Sequence, residues 1–304
     1  MTHSKTTFPR LIAKLIGLLA KILWHCKLES LAKQLFRHAE KFHLTTMAFT
    51  HPTLEITTAL PCNNRCKCCP QDRIMQQYYG CRLLSYDAFL AFIETVPKSV
   101  EICFSGFGEP FQNREASRMM RYCLDNGYRT ILFSTLVKFR LNDVHLLKNA
   151  PPFAEVCIHA PDGDNFTFPV AKWAKYYARF QKLGMPHRVI YLQYPNKLLK
   201  QIVPHARPYH GIISRAGNLT HKPPKRKTGA LACVFTPNFD RNVLLPNGDV
   251  VLCCMDYSLS YPLGNLANGW DSIRSTQNIE RIYNLCHDPD SDFICRYCEL
   301  AKSS

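Results

Sequence analysis

Cys62, Cys66 and Cys69 stand in a C-x3-C-x2-C pattern within Pro61-Cys62-Asn63-Asn64-Arg65-Cys66-Lys67-Cys68-Cys69-Pro70. Thiolates are soft ligands that suit iron–sulfur clusters or zinc, and this spacing lets one short loop bring three of them around a compact centre. A cubane cluster has four irons, so three protein thiolates leave one iron open to a small-molecule ligand. An open iron is reactive, whereas a fully capped cluster carries electrons or holds structure. The plainer reading of three cysteines in a chain with 15 is a zinc loop or buried free thiols.

A second set lies far downstream: Cys233, then Cys253 or Cys254, then the Cys-x2-Cys pair Cys295 and Cys298. These supply four thiolates for one fully capped site, either an iron–sulfur cluster or a zinc ribbon. Cys26, Cys68, Cys81, Cys103, Cys123, Cys157 and Cys286 are left over and read as ordinary buried thiols.

The elements that position these residues alternate. Leu54–Leu60 is apolar and β-branched and reads as a buried strand, which puts the first cysteines in the loop at its C-terminal end. A helix follows over 85–93 with Ser85 as its cap. A second strand over 99–104 runs into Ser105-Gly106-Phe107-Gly108-Glu109-Pro110, where glycines let the backbone approach a ligand. The alternation continues with helices over 114–126, 141–149, 168–183 and 198–206, and strands over 128–135, 154–159, 187–192 and 209–214. Strands alternating with helices imply parallel β/α units, the α/β class, with function gathered at the strand C-termini. Ser134, His159 and Arg215 end the third, fourth and sixth strands. His159 is a proton acceptor or a satisfied structural histidine. Past Gly217 the rhythm changes, and Asn247-Gly248 between two apolar runs signals a hairpin leading to Cys253.

The cysteine triplet after a first strand, followed by Gly106-Phe107-Gly108-Glu109 after a second, resembles the radical S-adenosylmethionine (SAM) enzymes. Two positions depart from that pattern: Cys68 stands where the family has an aromatic residue, and Phe107 replaces a glycine of the Gly-Gly-Glu motif. The resemblance implies a partial (β/α)6 barrel over 51–216 and a [4Fe-4S] cluster on Cys62, Cys66 and Cys69. SAM chelates the open iron, and one electron cleaves it to methionine and a 5′-deoxyadenosyl radical that abstracts hydrogen from a substrate C–H bond. It further implies that Gly106, Gly108 and Glu109 face the SAM amino group, and that Ser134 and Arg215 lie near SAM, Arg215 alternatively joining two domains. Residues 217–304 resemble the auxiliary-cluster domain called SPASM in its shortened twitch form, through Gly248 to Cys253, Leu263-Gly264-Asn265-Leu266 and the Trp270 helix. A second [4Fe-4S] cluster there suits an oxidation. The expected substrate is a carbohydrate or cyclitol-like alcohol, as in the aminocyclitol dehydrogenases with twitch domains. A peptide-modifying maturase is the alternative. A low-potential donor such as a flavodoxin or ferredoxin is implied as a partner.

At 304 residues, 46% of them hydrophobic, the chain can hold one large domain plus a small one. Clustered Cys-x2-Cys spacings in a chain of this length favour metal over disulfides and a reducing cytosol. The net charge of +15 points to an acidic partner. Residues 1–43 hold eight Lys or Arg against two Glu. Within 1–50, residues 8–42 read as basic amphipathic helix: Arg10, Lys14 and Lys21 form a polar stripe and Trp24 sits on the apolar face. Such a helix can lie on an anionic membrane surface at the inner face, or pack on the protein. The basic run His221–Lys227 has little aromatic interleaving, which argues against nucleic acid. A reading from another class is a zinc-stabilised, basic nucleic-acid- or membrane-binding protein without catalysis.

Overall fold

The computed structural model describes residues 51–303, apart from 164, 193, 194, 196, 210–213, 220–223 and 237. The amphipathic segment expected over 8–42 lies outside the described residues, as do 210–213 of the expected sixth strand.

Six parallel strands run in chain order, the first five each followed by at least one helix. They are β1 (Thr53–Ile56), β2 (Glu101–Phe104), β3 (Thr130–Ser134), β4 (Glu155–His159), β5 (Arg188–Tyr191) and β6 (Arg207–Pro208). The crossovers are α1 (Gln71–Gln77) with α2 (Tyr86–Ile93), then α3 (Ala116–Asp125), α4 (Leu141–Leu147), α5 (Val170–Gln181) and α6 (Lys197–Ile202). This order is the topology of a partial (β/α)6 barrel. Ser85 caps α2 as its sequence position demands, its hydroxyl accepting from the Ala88 amide at 3.2 Å. Two expectations shift at the end of the series. α6 stops at Ile202 rather than Ala206 because Pro204 supplies no N–H and bars Val203 from helical geometry. Released earlier, the chain enters β6 at Arg207, and the Tyr209 amide prolongs the pairing to the Tyr191 carbonyl at 2.7 Å.

Alternate residues of each strand face opposite ways. Leu54, Ile56, Ile102, Phe104 and Leu132 join Phe89, Met119, Trp173 and Phe180 in the main core beneath the helices. The opposite face of the sheet is polar: Glu55 accepts from Ser105 Oγ at 2.9 Å, and Glu101 pairs with Arg129 at 2.7 Å.

The C-terminal residues extend this same sheet. Strand β8 (Arg241–Leu244) pairs in parallel with β1, Glu55 opposite Val243, and continues through β9 (Asp249–Val251) and β10 (Pro262–Asn265) as an antiparallel meander. Arg241 donates to Glu55 across that seam, both side chains nearly fully buried. Neither charge could be left there alone cheaply, so the pair fixes how β8 docks on β1. Leu244, Val250, Leu266 and Trp270 belong to the main core, and a smaller cluster on the inner side joins Leu60, Ile74 and Phe107 to Val243, Val251 and Tyr257. A short sheet of β7 (Leu231–Cys233) and β11 (Ala301–Ser303), with helices α7 (Trp270–Ile273) and α8 (Thr276–His287), completes the chain.

Candidate functional site

The first cysteine loop leaves β1 and is held by the C-terminal ends of its neighbours. From the β2 side, Gln112 donates to the Pro61 carbonyl at 2.7 Å and accepts from the Asn63 amide at 2.9 Å. At the end of β3, Thr135 Oγ1 accepts from Asn64 at 2.9 Å. Beyond β4, Asn165 accepts from the Lys67 amide through its carbonyl and from the Cys68 amide through its side chain, each at 2.9 Å. From the far end of the sheet, Arg215 Nε donates to the Cys68 carbonyl at 3.1 Å. Inside the loop, Gln71 at the start of α1 accepts from the Cys62 amide at 3.0 Å and approaches Cys69 Sγ at 3.4 Å. The loop thus lies across the mouth formed by the strand C-termini, with Cys62, Cys66 and Cys69 all half-buried.

The thiols perturb one another. Burial pushes the Cys62 thiol up to about 12, and the charges of Glu109 and Cys69 add to it. Burial also raises Cys66, with Cys68, Cys62 and Cys69 contributing. A set of thiols that would repel one another once ionised is what a cationic metal centre stabilises. Among the described residues, no group of three or more His, Cys, Asp or Glu side chains is gathered closely enough to hold a single metal ion.

The turn after β2 is built by contact with the β1 chain. A Cβ on Gly106 would lie 2.2 Å from Thr57 Oγ1, and one on Gly108 2.3 Å from the Ala59 carbonyl oxygen. Gly106 also holds φ of +60°. Their small size is therefore required by the neighbouring strand. Glu109 is buried, and its carboxylate accepts from Ser134 Oγ (2.6 Å), Thr135 N (2.7 Å), Thr135 Oγ1 (2.6 Å) and Phe111 N (3.2 Å). Burial raises its pKa against these donors, which work in the other direction. Glu109 and Ser134 are thus brought together as partners, clamping the end of β2 to the end of β3. Glu109→Ala is expected to cost about 3 kcal/mol or more, because it strands several buried donors that now bond a charged acceptor. A urea denaturation midpoint equal to that of the unaltered protein would remove this anchoring role.

His159, at the end of β4, approaches Asp162 with Nε2···Oδ2 at 3.5 Å, and its ring lies 5.8 Å from that of Phe166. Asp162 is buried, accepts from the Phe166 amide at 3.2 Å, and contributes its charge to raising Cys66. Asp162 thus links the histidine at the end of β4 to the surroundings of Cys66. Sequence reasoning missed Asp162, although Asp162-Gly163 directly after a strand end was a readable turn signal.

Arg215 lies in a left-handed turn (φ +53°) and packs among Tyr257, Cys68, Cys69 and Cys254, which hold it charged against the cost of burial. The turn also ties the two halves of the chain together. Asn218 Nδ2 donates to the Arg215 carbonyl at 2.6 Å and to the Met255 carbonyl at 2.9 Å, and Glu299 accepts from the Ala216 amide at 3.1 Å.

In the second set, Cys233 on β7 lies opposite Ala301 of β11, and Cys295 and Cys298 flank a single tight turn. Burial raises the Cys253 thiol, with Cys254, Cys295 and Cys298 adding to it. Cys298 is pushed up to about 12 by burial, with Cys233 contributing. Cys254, also raised to about 12 by burial, responds to Glu55, Arg241 and Arg215 and then to Cys298. Cys253 therefore responds to Cys295 and Cys298 of this set, and Cys254 responds most to the charges of Glu55, Arg241 and Arg215. Two neighbours escaped the sequence reading. Cys286 on α8 adds to the shift at Cys295. The fully buried Arg296 donates to the carbonyls of Cys286, Asp288, Lys227 and Gly229, fixing the turn that carries the pair.

No protein-family model matches the chain, and no curated protein matches it. Solved structures do. BtrN in complex with AdoMet and 2-DOIA superposes with a TM-score of 0.52 at 13% identity, covering 80% of this chain and 89% of BtrN. The anSMEcpe structure with bound AdoMet gives 0.51 at 11%, covering 81% and 86%. Streptococcus suis SuiB bound to precursor peptide SuiA gives 0.51 at 11%, covering 83% and 71%. At 11–13% identity the likeness is one of fold, a mostly parallel α/β sheet shared with these structures, two of which hold AdoMet. The likeness covers four fifths of the present chain.

Proposed function

We propose that this chain is a radical SAM enzyme, with Cys62, Cys66 and Cys69 holding a [4Fe-4S] cluster and Cys233, Cys253, Cys295 and Cys298 holding a second. The observation that carries the reading is the three-thiol loop pinned across the mouth of a parallel sheet by groups from β2, β3, β4 and the Arg215 turn. The donor set fits: three soft, half-buried thiols lie in one loop, and the glycine turn after β2 packs against the chain that leads into that loop. Bound there, the cluster with SAM supplies a 5′-deoxyadenosyl radical for hydrogen abstraction, and the second cluster supplies a site for one electron.

The chain's own residues then define the rest. The Gly106–Gly108 backbone is the edge for the SAM amino group, with Glu109 and Ser134 holding that edge rigid from behind. Arg215 places a positive charge beside the cluster loop. His159, with Nε2 against Asp162, accepts a proton at Nδ1 from the substrate. Conversion of an alcohol carbon to a ketone loses one hydrogen atom, one proton and one electron, and this site provides a destination for each. The substrate class is therefore a carbohydrate or cyclitol-like alcohol, and the enzyme an oxidoreductase fed by a low-potential flavodoxin or ferredoxin. BtrN bound to AdoMet and 2-DOIA is a structural neighbour that supports this choice. SuiB bound to a precursor peptide favours the second reading, a peptide-modifying enzyme. Among the described residues no helix is long and apolar enough to cross a membrane. Surface attachment through residues 8–42 remains a separate proposal for vesicle binding.

The test is a count of iron and sulfide on anaerobically reconstituted protein, followed by dithionite and SAM with 5′-deoxyadenosine as the readout. About eight irons per chain with product formed is the expected result. About four irons with product would keep the enzyme and reassign the C-terminal thiols to zinc or structure. A colourless zinc protein making no product would overturn the enzyme reading.

A further inference from the structure

The two cysteine sets are joined by one rigid turn. Cys253 begins it, with the Asp256 amide donating to the Cys253 carbonyl at 3.0 Å, and Tyr257 ends it. The buried Asp256 carboxylate pins the turn from inside, accepting from the Ser260 amide at 3.0 Å and the Tyr261 amide at 2.9 Å. Tyr257 is 3% exposed, and its phenol oxygen lies 3.7 Å from Cys69 Sγ. Its ring meets Phe107 edge-on at 5.0 Å, and the Arg215 guanidinium sits 5.8 Å from the ring centre. A residue four positions after a thiol of the second set thus touches a thiol of the first.

We infer that Tyr257 donates a hydrogen bond to the Cys69 thiolate and raises the reduction potential of the cluster held by Cys62, Cys66 and Cys69. The inference rests on the proposed function. A metal-bound Cys69 has no proton, so in this contact the phenol must be the donor and the sulfur the acceptor. Hydrogen bonds to cluster sulfurs favour the more negative, reduced state, and their number helps set the potential. Tyr257 is a positioning residue: it acts on the site through a ligand, and it makes the C-terminal half a working part of the first centre. The Gln71 amide near the same sulfur comes from the barrel itself, so Tyr257 is the contribution that only the C-terminal half can make.

The experiment compares unaltered protein with Tyr257→Phe, each reconstituted anaerobically and titrated electrochemically. The signal followed is the reduced-cluster paramagnetic resonance that changes when SAM is added, since only an open iron responds to SAM. Tyr257→Phe is expected to keep its iron and to shift that midpoint to lower potential. A fluorinated tyrosine at position 257, a stronger donor of the same shape, should shift it upward. An unchanged midpoint in both variants at full iron load overturns the inference and leaves the proposed function standing. Loss of iron from both would make Tyr257 a packing residue and overturn the tuning role. Unaltered protein with no SAM-responsive signal would remove the functional reading and this inference together.

Discussion

Cys62→Ala is expected to lower 5′-deoxyadenosine formation by at least about a thousandfold, equivalent to about 4 kcal/mol, under reducing anaerobic conditions. The size follows from the ligand count: two thiolates cannot seat a cubane with a single open iron. The substitution is also clean. Cys62 is tied into the loop through its backbone amide, which donates to Gln71 at 3.0 Å, and alanine keeps that amide. Gln112, Thr135 and Asn165 hold the loop at other residues and are untouched. Lost product with an unchanged denaturation midpoint would therefore report the ligand, and retained product would exclude Cys62 from the set. Cys68→Ala provides the contrast. Its thiol is raised by burial and eased by Arg215, and the loop uses its carbonyl and amide, so product formation should survive.

Most of the barrel was legible in the sequence because its signals are local. Ser85 before an apolar run, Gly127 and Gly184 after helices, and apolar stretches of strand length place their elements to within a few residues. What was illegible depends on distant partners. Nothing near Arg241 announces that β8 joins the free edge of β1 in parallel, since the decisive partner, Glu55, lies 186 residues earlier. The sequence change at Gly217 reads as a domain boundary, but the chain beyond it enters the same sheet and the same core. Helix α1 was missed because Gln71–Gln77 buries only Ile74 and so offers no apolar stripe.

The site was legible in its donors and illegible in its supports. The cysteine spacings gather Cys62, Cys66 and Cys69 in one loop, whereas the 2.6 Å bond that joins Ser134 to Glu109 has no local signal. Gly106 and Gly108 are fixed by Thr57 and Ala59, a reason for glycine that no local pattern carries. Asp162, Tyr257 and Arg296 each act across the fold, on His159, Cys69 and the Cys295–Cys298 turn respectively.

The second large effect is expected at Cys295. Cys295→Ala should halve the iron bound per chain, from about eight to about four, while sparing the cluster that answers to SAM. The turn should survive the loss of its thiol, because Arg296 anchors it to four carbonyls and the Cys298 amide donates to the Cys295 carbonyl at 3.3 Å. The contact to the first loop comes through Tyr257, on the turn that starts at Cys253, and that turn's bonds do not involve Cys295. Iron and sulfide analysis with zinc measured in parallel decides the matter. Iron halved with zinc absent supports a capped cluster on Cys233, Cys253, Cys295 and Cys298. Zinc lost with iron constant makes the same thiols a zinc ribbon, and iron unchanged with no zinc in either protein leaves the set without a metal. Only the first outcome gives an oxidation its internal electron acceptor, so this variant bears on the reaction class as directly as Cys62→Ala bears on radical formation.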